Sequence, residues 1–358
     1  MASERAELSE ISYSEALLEA QEWCLSNDSS VLLFGLGVPD PKGIFGSTVG
    51  LQETFGDERV FDIPLSEHAL TGVAIGAAIN GQKPILTHQR VDFSLVSIDQ
   101  IVNQAAKWAF MFNGETEAGI VIRMIVGRGW GQGPQHSQSL HAWFSHIPGL
   151  KVLMPATAFD AKGMLISAVF DRSPTIIFEH RWLYELKDMV PRQGYSIPLG
   201  QARVIRTGVD LSIVSLSYMT VEALKAAEFL SKYNVCIEVV DIRSIRPLDE
   251  ATILRSVAKT GRVLIIDQAD LVCSVASHVS SFVSEALFGQ LKSAPVRLGL
   301  PDHPVPTSSD LSRPYYPSAL TIVTEICEML DLAIGKSDLL SLYVENADQP
   351  DASFIGPF

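Results

Sequence analysis

The sequence predicts an α/β protein made of two doubly wound domains. Three observations carry that prediction. Short, wholly apolar runs such as Val31-Leu32-Leu33-Phe34-Gly35 and Gly119–Val126 read as strands buried on both faces of a parallel sheet. Segments of helical spacing alternate with them, the pattern of βαβ crossovers. The alternation breaks once, around Tyr184–Pro198, where Pro191, Arg192, Gln193 and Gly194 follow one another, and then resumes. The expected organisation is a first domain over residues 1–190, a linker over 191–205, a second domain over 206–335 and a tail over 336–358.

Bulk properties narrow the function classes. A chain of 358 residues, 47% hydrophobic and 19% charged, is long enough for two real cores and is not a disordered composition. Its net charge of −14 argues against nucleic acid and anionic membranes as partners, because both require clustered Lys and Arg. No apolar run reaches the length needed to span a bilayer. The first residues, Met1-Ala2-Ser3-Glu4-Arg5-Ala6-Glu7, lack a signal-peptide core and are too acidic for a transit peptide. The four cysteines, at 24, 236, 273 and 327, form no CxxC pair, as expected of a reducing compartment without a zinc cluster. A cytoplasmic location is expected.

The elements follow in order. Ser12-Tyr13-Ser14-Glu15 predicts a capping box opening a helix through about Leu25. The Val31–Gly35 strand leads to Gly35-Leu36-Gly37-Val38-Pro39, which lacks the third glycine of a dinucleotide fingerprint. A helical stretch over Val49–Phe55 and a strand-like Val60-Phe61 precede Pro64. Ser66 is then placed to cap a helix that starts with Glu67 and ends near Asn80-Gly81. Gly72 and Gly76 lie one turn apart on that helix, at a cost of roughly 1 kcal/mol each against Ala, so a close backbone approach is expected there. Pro84–Thr87 reads as a strand, Asp92–Phe112 as one long helix, Lys151–Met154 and Thr175–Phe178 as strands around the helix Ala158–Phe170. The second domain reads as strand Leu211–Ser215, helix Thr220–Tyr233, strand Val235–Asp241, helix Asp249–Lys259, strand Val263–Asp267 and helix Val275–Leu287.

No P-loop, GxSxG or HExxH is present, and no histidine pair has metal-ligand spacing on a helix face. The candidates are polar groups after predicted strands, since open α/β sheets bind ligands beyond the strand carboxyl ends. Glu67 follows one strand, His88-Gln89-Arg90 another, and a third leads to the glycine loop Gly127–Gly133 and His136. Each also has a plainer reading: a first-turn Glu on a core helix, a flexible loop, a histidine bonded to its own backbone.

At this point longer motifs resemble one family. They are Phe61-Asp62-x-Pro64-x-Ser66-Glu67, Ile98-Asp99-Gln100-Ile101, Gln135-His136-Ser137-Gln138-Ser139, Ala142-Trp143-Phe144, and His146-Ile147-Pro148-Gly149-Leu150-Lys151-Val152. Asp160-Ala161-Lys162-Gly163, Asp241-Ile242-Arg243, Arg246-Pro247-Leu248-Asp249 and Gly356-Pro357-Phe358 join them. The chain resembles the beta subunits of thiamine-diphosphate-dependent 2-oxo acid dehydrogenases, pyruvate and branched-chain types included, from about Ile11 onward. The resemblance implies a pyrimidine-binding transketolase-like domain followed by a transketolase C-terminal-like domain.

It also implies a shared active site. The alpha subunit of that family carries a Gly-Asp-Gly motif that holds Mg2+ and the diphosphate. No such motif occurs here, so a separate alpha chain in an α2β2 assembly is implied, with a lipoyl-bearing dihydrolipoyl acyltransferase as a further partner. Glu67 matches the family's activating glutamate, which shares a proton with a ring nitrogen of the aminopyrimidine. His136 matches the histidine that assists intermediates and acyl transfer. Phe93 follows the pyrimidine-side strand, and Gln89 and Phe93 are the further cofactor-binding candidates that the resemblance implies. Ile120, Ala168, Val169, Asp171 and Ser173 fall where the family places a structural K+, held largely by carbonyl oxygens.

Departures from the family pattern count as well. Gly35-Leu36-Gly37-Val38 replaces Gly-Glu-Asp-Val, and His88-Gln89-Arg90-Val91-Asp92-Phe93 replaces Phe-Met-Thr-Phe-Asn-Phe. Val272-Cys273-Ser274-Val275 stands where a glycine-rich turn is usual. The expected activity is decarboxylation of a 2-oxo acid with acyl transfer to a lipoyl group. The alternatives are a specialised acyl or ketol transferase with a non-lipoyl acceptor, and a non-catalytic scaffold for the alpha subunit.

Overall fold

The computed structural model describes residues 7–127 and 131–343. These form two compact units, one of residues 7–126 and 143–199, the other of residue 127, residues 131–142 and residues 200–343. The segment carrying His136 therefore packs with the second unit, although it lies between strands of the first.

In the first unit β1 (Leu8–Ser12) leads directly into α1 (Tyr13–Asn27). Ser12 and Glu15 close a reciprocal capping box, the Ser12 hydroxyl accepting from the Glu15 amide and the Glu15 carboxylate from the Ser12 amide. Next come β2 (Val31–Gly35), α2 (Leu51–Phe55), β3 (Val60–Phe61), α3 (Glu67–Ile79) and β4 (Lys83–His88). Then follow α4 (Val91–Ser94), α5 (Ala106–Met111), β5 (Val121–Val126), α6 (His141–Ser145, whose first two residues fall in the second unit), β6 (Lys151–Leu153), α7 (Ala158–Val169), β7 (Thr175–His180) and β8 (Lys187–Pro191). Six strands form a parallel sheet in the order β6-β7-β5-β4-β2-β3. β1 and β8 pair separately as an antiparallel ribbon.

Two expectations for this unit need correction. Ser66 precedes α3 but makes no side-chain cap; its φ of −158° and ψ of 65° turn the hydroxyl away from the first-turn amides. Asp92–Phe112 is not one helix. A 3-10 turn (Leu95–Ser97) and a π-helical stretch (Gln100–Ala105) interrupt it. The break ends where another backbone crosses the run. Gly149, at φ +101°, lies so close that a Cβ there would sit 1.8 Å from the Ala106 carbonyl oxygen. Lys107 Nζ donates to Pro148 O beside it (2.8 Å).

The second unit contains β9 (Arg203–Arg206), β10 (Leu211–Ser215), α8 (Tyr218–Ser231), β11 (Ile237–Asp241), β12 (Ser244–Arg246), α9 (Glu250–Thr260) and β13 (Val263–Asp270). It ends with α10 (Val275–Ala286), β14 (Val296–Leu300), α11 (Ser309–Ser312), α12 (Ala319–Leu330) and α13 (Lys336–Leu340). Its sheet runs β14-β13-β10-β11-β9 and is parallel except for β9. β9 lies partly in the stretch read from sequence as linker. It is a half-exposed edge strand without an apolar run, so the sequence offers little signal for it.

Candidate functional site

The carboxyl ends of β2, β3 and β4 lie side by side in the first unit, and two polar side chains connect the loops that leave them. Asp62 Oδ1, just after β3, accepts from the Gly37 amide (2.9 Å) and the Ile63 amide (2.8 Å). Gln89, just after β4, donates from Nε2 to Leu36 O (3.1 Å). Gly35 and Gly37 make this closeness possible. A Cβ at Gly35 would lie 2.4 Å from Thr87 O, and one at Gly37, whose φ is +78°, 3.0 Å from the Asp40 carboxylate. The Leu36-Gly37 departure noted in the sequence is thus a tight loop held by Asp62 and Gln89.

Glu67 opens α3 at this edge and is half-buried. Its carboxylate has no hydrogen bond or ion pair among the described residues. A helix N-terminus favours the negative charge, yet the described residues supply no donor to it. Behind Glu67, Gly72 is met by the Gln100 side chain (3.2 Å to a Cβ), whereas Gly76 faces open space. Leu65 just before α3 and Val73 on it are 77% and 60% exposed. Phe93 sits half-buried on α4, one turn after Gln89.

His88, the last residue of β4, is buried, and its Nε2 has no hydrogen-bond partner among the described residues. Loss of hydration lowers its pKa from 6.5 to about 4, so the ring is neutral at physiological pH. Between those values the unfolded chain binds more protons than the native one, so stability falls as pH drops from about 6.5 towards 4 and the loss levels off below that. Full protonation costs on the order of 3 kcal/mol. His88→Phe should flatten this part of a urea-midpoint-against-pH curve; an unchanged slope would contradict the assignment.

His136 occupies a turn, half-buried, with its amide near Gly133 O (3.4 Å). It travels with the second unit, while Glu67, Gln89 and Phe93 belong to the first. Of the preceding glycine loop, residues 128–130 lie outside the described residues, as does Gly356-Pro357-Phe358. The five residues of the expected K+ site gather where α7 ends and β5 and β7 begin. Ile120 O accepts from the Thr175 amide (2.8 Å) and Ala168 O from the Asp171 amide (3.2 Å). The Asp171 carboxylate is taken by Lys151 Nζ (2.5 Å) and the Ser173 amide (2.8 Å). Any cation there would have to rely on the second lone pairs of carbonyl oxygens. Among the described residues no three His, Cys, Asp or Glu side chains cluster as a metal site.

Comparisons with known proteins now bear on this arrangement. Residues 9–187 match the transketolase pyrimidine-binding domain and residues 200–322 the transketolase C-terminal domain. The beta subunit of acetoin:2,6-dichlorophenolindophenol oxidoreductase from Cupriavidus necator is 44% identical over 318 residues, covering 86% of this chain and 94% of that one. The chain belongs to the family of transketolase-like beta subunits. Within that family, the 2-oxoisovalerate dehydrogenase beta subunit of Bacillus subtilis is 40% identical, covering 83% of this chain and 91% of its own. The pyruvate dehydrogenase E1 beta subunit of Rhizobium meliloti is 36% identical, covering 89% and 70%. A solved structure described as a split-gene transketolase, inactive beta4 tetramer, shares the fold with a TM-score of 0.73 at 21% identity, covering 90% of this chain and 99% of that one.

Glu67, Gln89, Phe93 and His136 all lie in the span matching the pyrimidine-binding domain of this beta subunit. Sequence reasoning missed Asp62 as the residue joining the β2 and β3 loops, although it lies within the motif that ends at Glu67. It also missed that His136 is anchored on the second unit; no local pattern signals a contact across 126 residues, the separation of His141 and Asp267. Among the described residues no helix is long and apolar enough to cross a membrane.

Proposed function

We propose that this chain is the beta subunit of a thiamine diphosphate enzyme that decarboxylates a 2-oxo acid and passes the acyl unit to a lipoyl group. It would work with a separate alpha subunit in an α2β2 assembly. The observation that carries the reading is the half-buried Glu67 carboxylate at the start of α3, which has no hydrogen-bond or ion-pair partner among the described residues. A carboxylate left without a donor at a ligand-binding sheet edge is suited to sharing a proton with a ring nitrogen. Bound thiamine diphosphate would supply the electron sink for the departing carboxyl group.

The chain's own residues then divide the work. Glu67 holds the shared proton, and desolvation on closure by the partner chain would favour that role. Gln89 keeps the Leu36-Gly37 loop in place, and Phe93 offers an apolar ring face. His136 hydrogen-bonds the reacting group and moves a proton during transfer. Mg2+ would be held by the alpha subunit, since this chain has no Gly-Asp-Gly. A structural K+ would sit on the carbonyls of Ile120, Ala168, Val169 and Asp171, close to Ser173.

A second reading has specific support from the 44% identity to an acetoin:2,6-dichlorophenolindophenol oxidoreductase subunit and from the changed wall His88–Val91. In it the substrate is a hydroxyketone or the acceptor is not lipoyl. The experiment is reconstitution with the alpha partner and thiamine diphosphate, offering pyruvate, 3-methyl-2-oxobutanoate or acetoin with a lipoyl domain or 2,6-dichlorophenolindophenol. Acylation of the lipoyl domain by a 2-oxo acid is the expected result. Turnover of acetoin with the dye alone would favour the second reading. Calorimetry showing no thiamine diphosphate binding by the complex would overturn both and leave the scaffold role.

A further inference from the structure

The segment around His136 packs on the second unit at Thr307 and at Asp267, the latter through a buried hydrogen-bonded pair that the proposed chemistry does not use. At the first point Gly131 (φ +69°) and Gly133 (φ +70°) lie directly on Thr307. A Cβ at Gly131 would sit 2.9 Å from Thr307 O, and one at Gly133 2.5 Å from Thr307 Oγ1. At the second, His141 Nε2 lies 2.8 Å from Asp267 Oδ1, with both side chains fully buried. A carboxylate only accepts, so this ring nitrogen carries the proton.

Asp267 is itself rigidly placed. It lies near the carboxyl end of β13, its Oδ1 also accepting from the Ala269 amide and its Oδ2 from the Ala276 amide in the first turn of α10 (both 3.2 Å). Between these points Ser137 is buried as well. A cavity of about 340 Å³ separates Gln138, Ser139 and Leu140 from Ala269, Asp270 and Tyr315. With open volume behind residues 138–140, the ties at Thr307 and Asp267 contribute to the orientation of the turn bearing His136.

We propose that His141 and Asp267 are a positioning pair that fixes the placement of His136 for acyl or ketol transfer. This rests on the reading of His136 as a residue that contacts the reacting group. His141 stands five residues beyond His136 and touches Asp267 rather than substrate. Its removal takes away that tie and leaves Asp267 Oδ1 buried without the ring nitrogen it accepts from. Misplacement of a reacting group by about 1 Å can cost on the order of 100-fold in rate, while substrate and cofactor affinity set by other residues would change little.

The test uses the complex reconstituted with the alpha subunit and thiamine diphosphate, with pyruvate and acetoin as probes. His141→Ala, His141→Gln, Asp267→Asn and His136→Ala are compared by steady-state kinetics, calorimetry and amide hydrogen exchange. His141→Ala should lower kcat about 10- to 100-fold, with KM and the thiamine diphosphate Kd within about twofold. Exchange over residues 132–140 should accelerate about 10-fold or more, while other peptides keep their rates. His141→Gln, whose amide nitrogen can donate to the same carboxylate, should recover most of both effects. Unchanged kcat and exchange in His141→Ala would overturn the pair, as would a Gln variant no better than Ala. Full activity of His136→Ala would instead overturn the reading of His136, with exchange over 132–140 still deciding the anchor.

Discussion

Glu67→Gln in the reconstituted complex is expected to lower turnover by about 100- to 10,000-fold, the range that a positioned acid–base group contributes. Folding and assembly should be unaffected, because the Glu67 carboxylate makes no bond within the described residues and Gln is nearly isosteric. Loss of a charge at the start of α3 should change helix stability by only about 0.3–1 kcal/mol. The prediction therefore separates chemistry from stability. Steady-state rates with each candidate substrate, beside a thermal melt of the complex, provide the check. Full turnover in the Gln variant would reject the proposed role, whatever the substrate.

Arg123→Met should have the largest effect on stability. Arg123 is fully buried in β5, between apolar neighbours in the strand, and its guanidinium is met by polar partners. Its Nε and one terminal nitrogen hold both oxygens of Glu179 on β7 (2.6 and 2.9 Å). Nη1 donates to Gln21 Oε1 on α1 (2.8 Å), and Nη2 also donates to Ser47 Oγ (2.9 Å). The Tyr184 hydroxyl donates (2.5 Å) to Glu179 Oε2, the oxygen that also accepts from Arg123 Nη2, and burial next to that carboxylate pushes the Tyr184 pKa well up. Removing the arginine alone leaves a buried, uncompensated carboxylate, which costs about 3–5 kcal/mol. Replacing both ions, Arg123→Met with Glu179→Leu, should regain most of that loss, since buried ion pairs are frequently no better than apolar residues of similar volume. Urea denaturation of the four variants forms a double-mutant cycle. Additive losses would show that the two side chains act independently.

Much of the fold is legible in the sequence because short-range physics governs it. The Ser12–Glu15 capping box, the apolar strand Val31–Gly35 and the helix over Ala158–Val169 each follow from residues within one or two turns. The first-turn position of Glu67 is equally local. Ser66 shows the limit: its type suits a cap, but its backbone angles do not direct the hydroxyl to the helix. The run after Asp92 shows another, since the crossing of Gly149 over Ala106 links residues 43 apart by position and leaves no periodic signal. Arg123 and Glu179 could have been noticed as charges inside apolar strands, but only the parallel pairing Arg123↔Ile177, with Ile125↔Glu179 next to it, brings them within reach.

By itself, then, the sequence determined the α/β class, most strands and helices, the two-part division and the family, through local patterning and ordered motifs. Tertiary structure alone decided three things. The loops after β2 and β3 are joined because Asp62 accepts from the Gly37 and Ile63 amides. The Leu36-Gly37 loop is closed by Gln89 because β2 and β4 are adjacent in the sheet. The His136 segment rides on the second unit because His141 meets Asp267 there. Each depends on contacts between residues far apart in the chain, whose positions are set only when the strands take their order in the sheet.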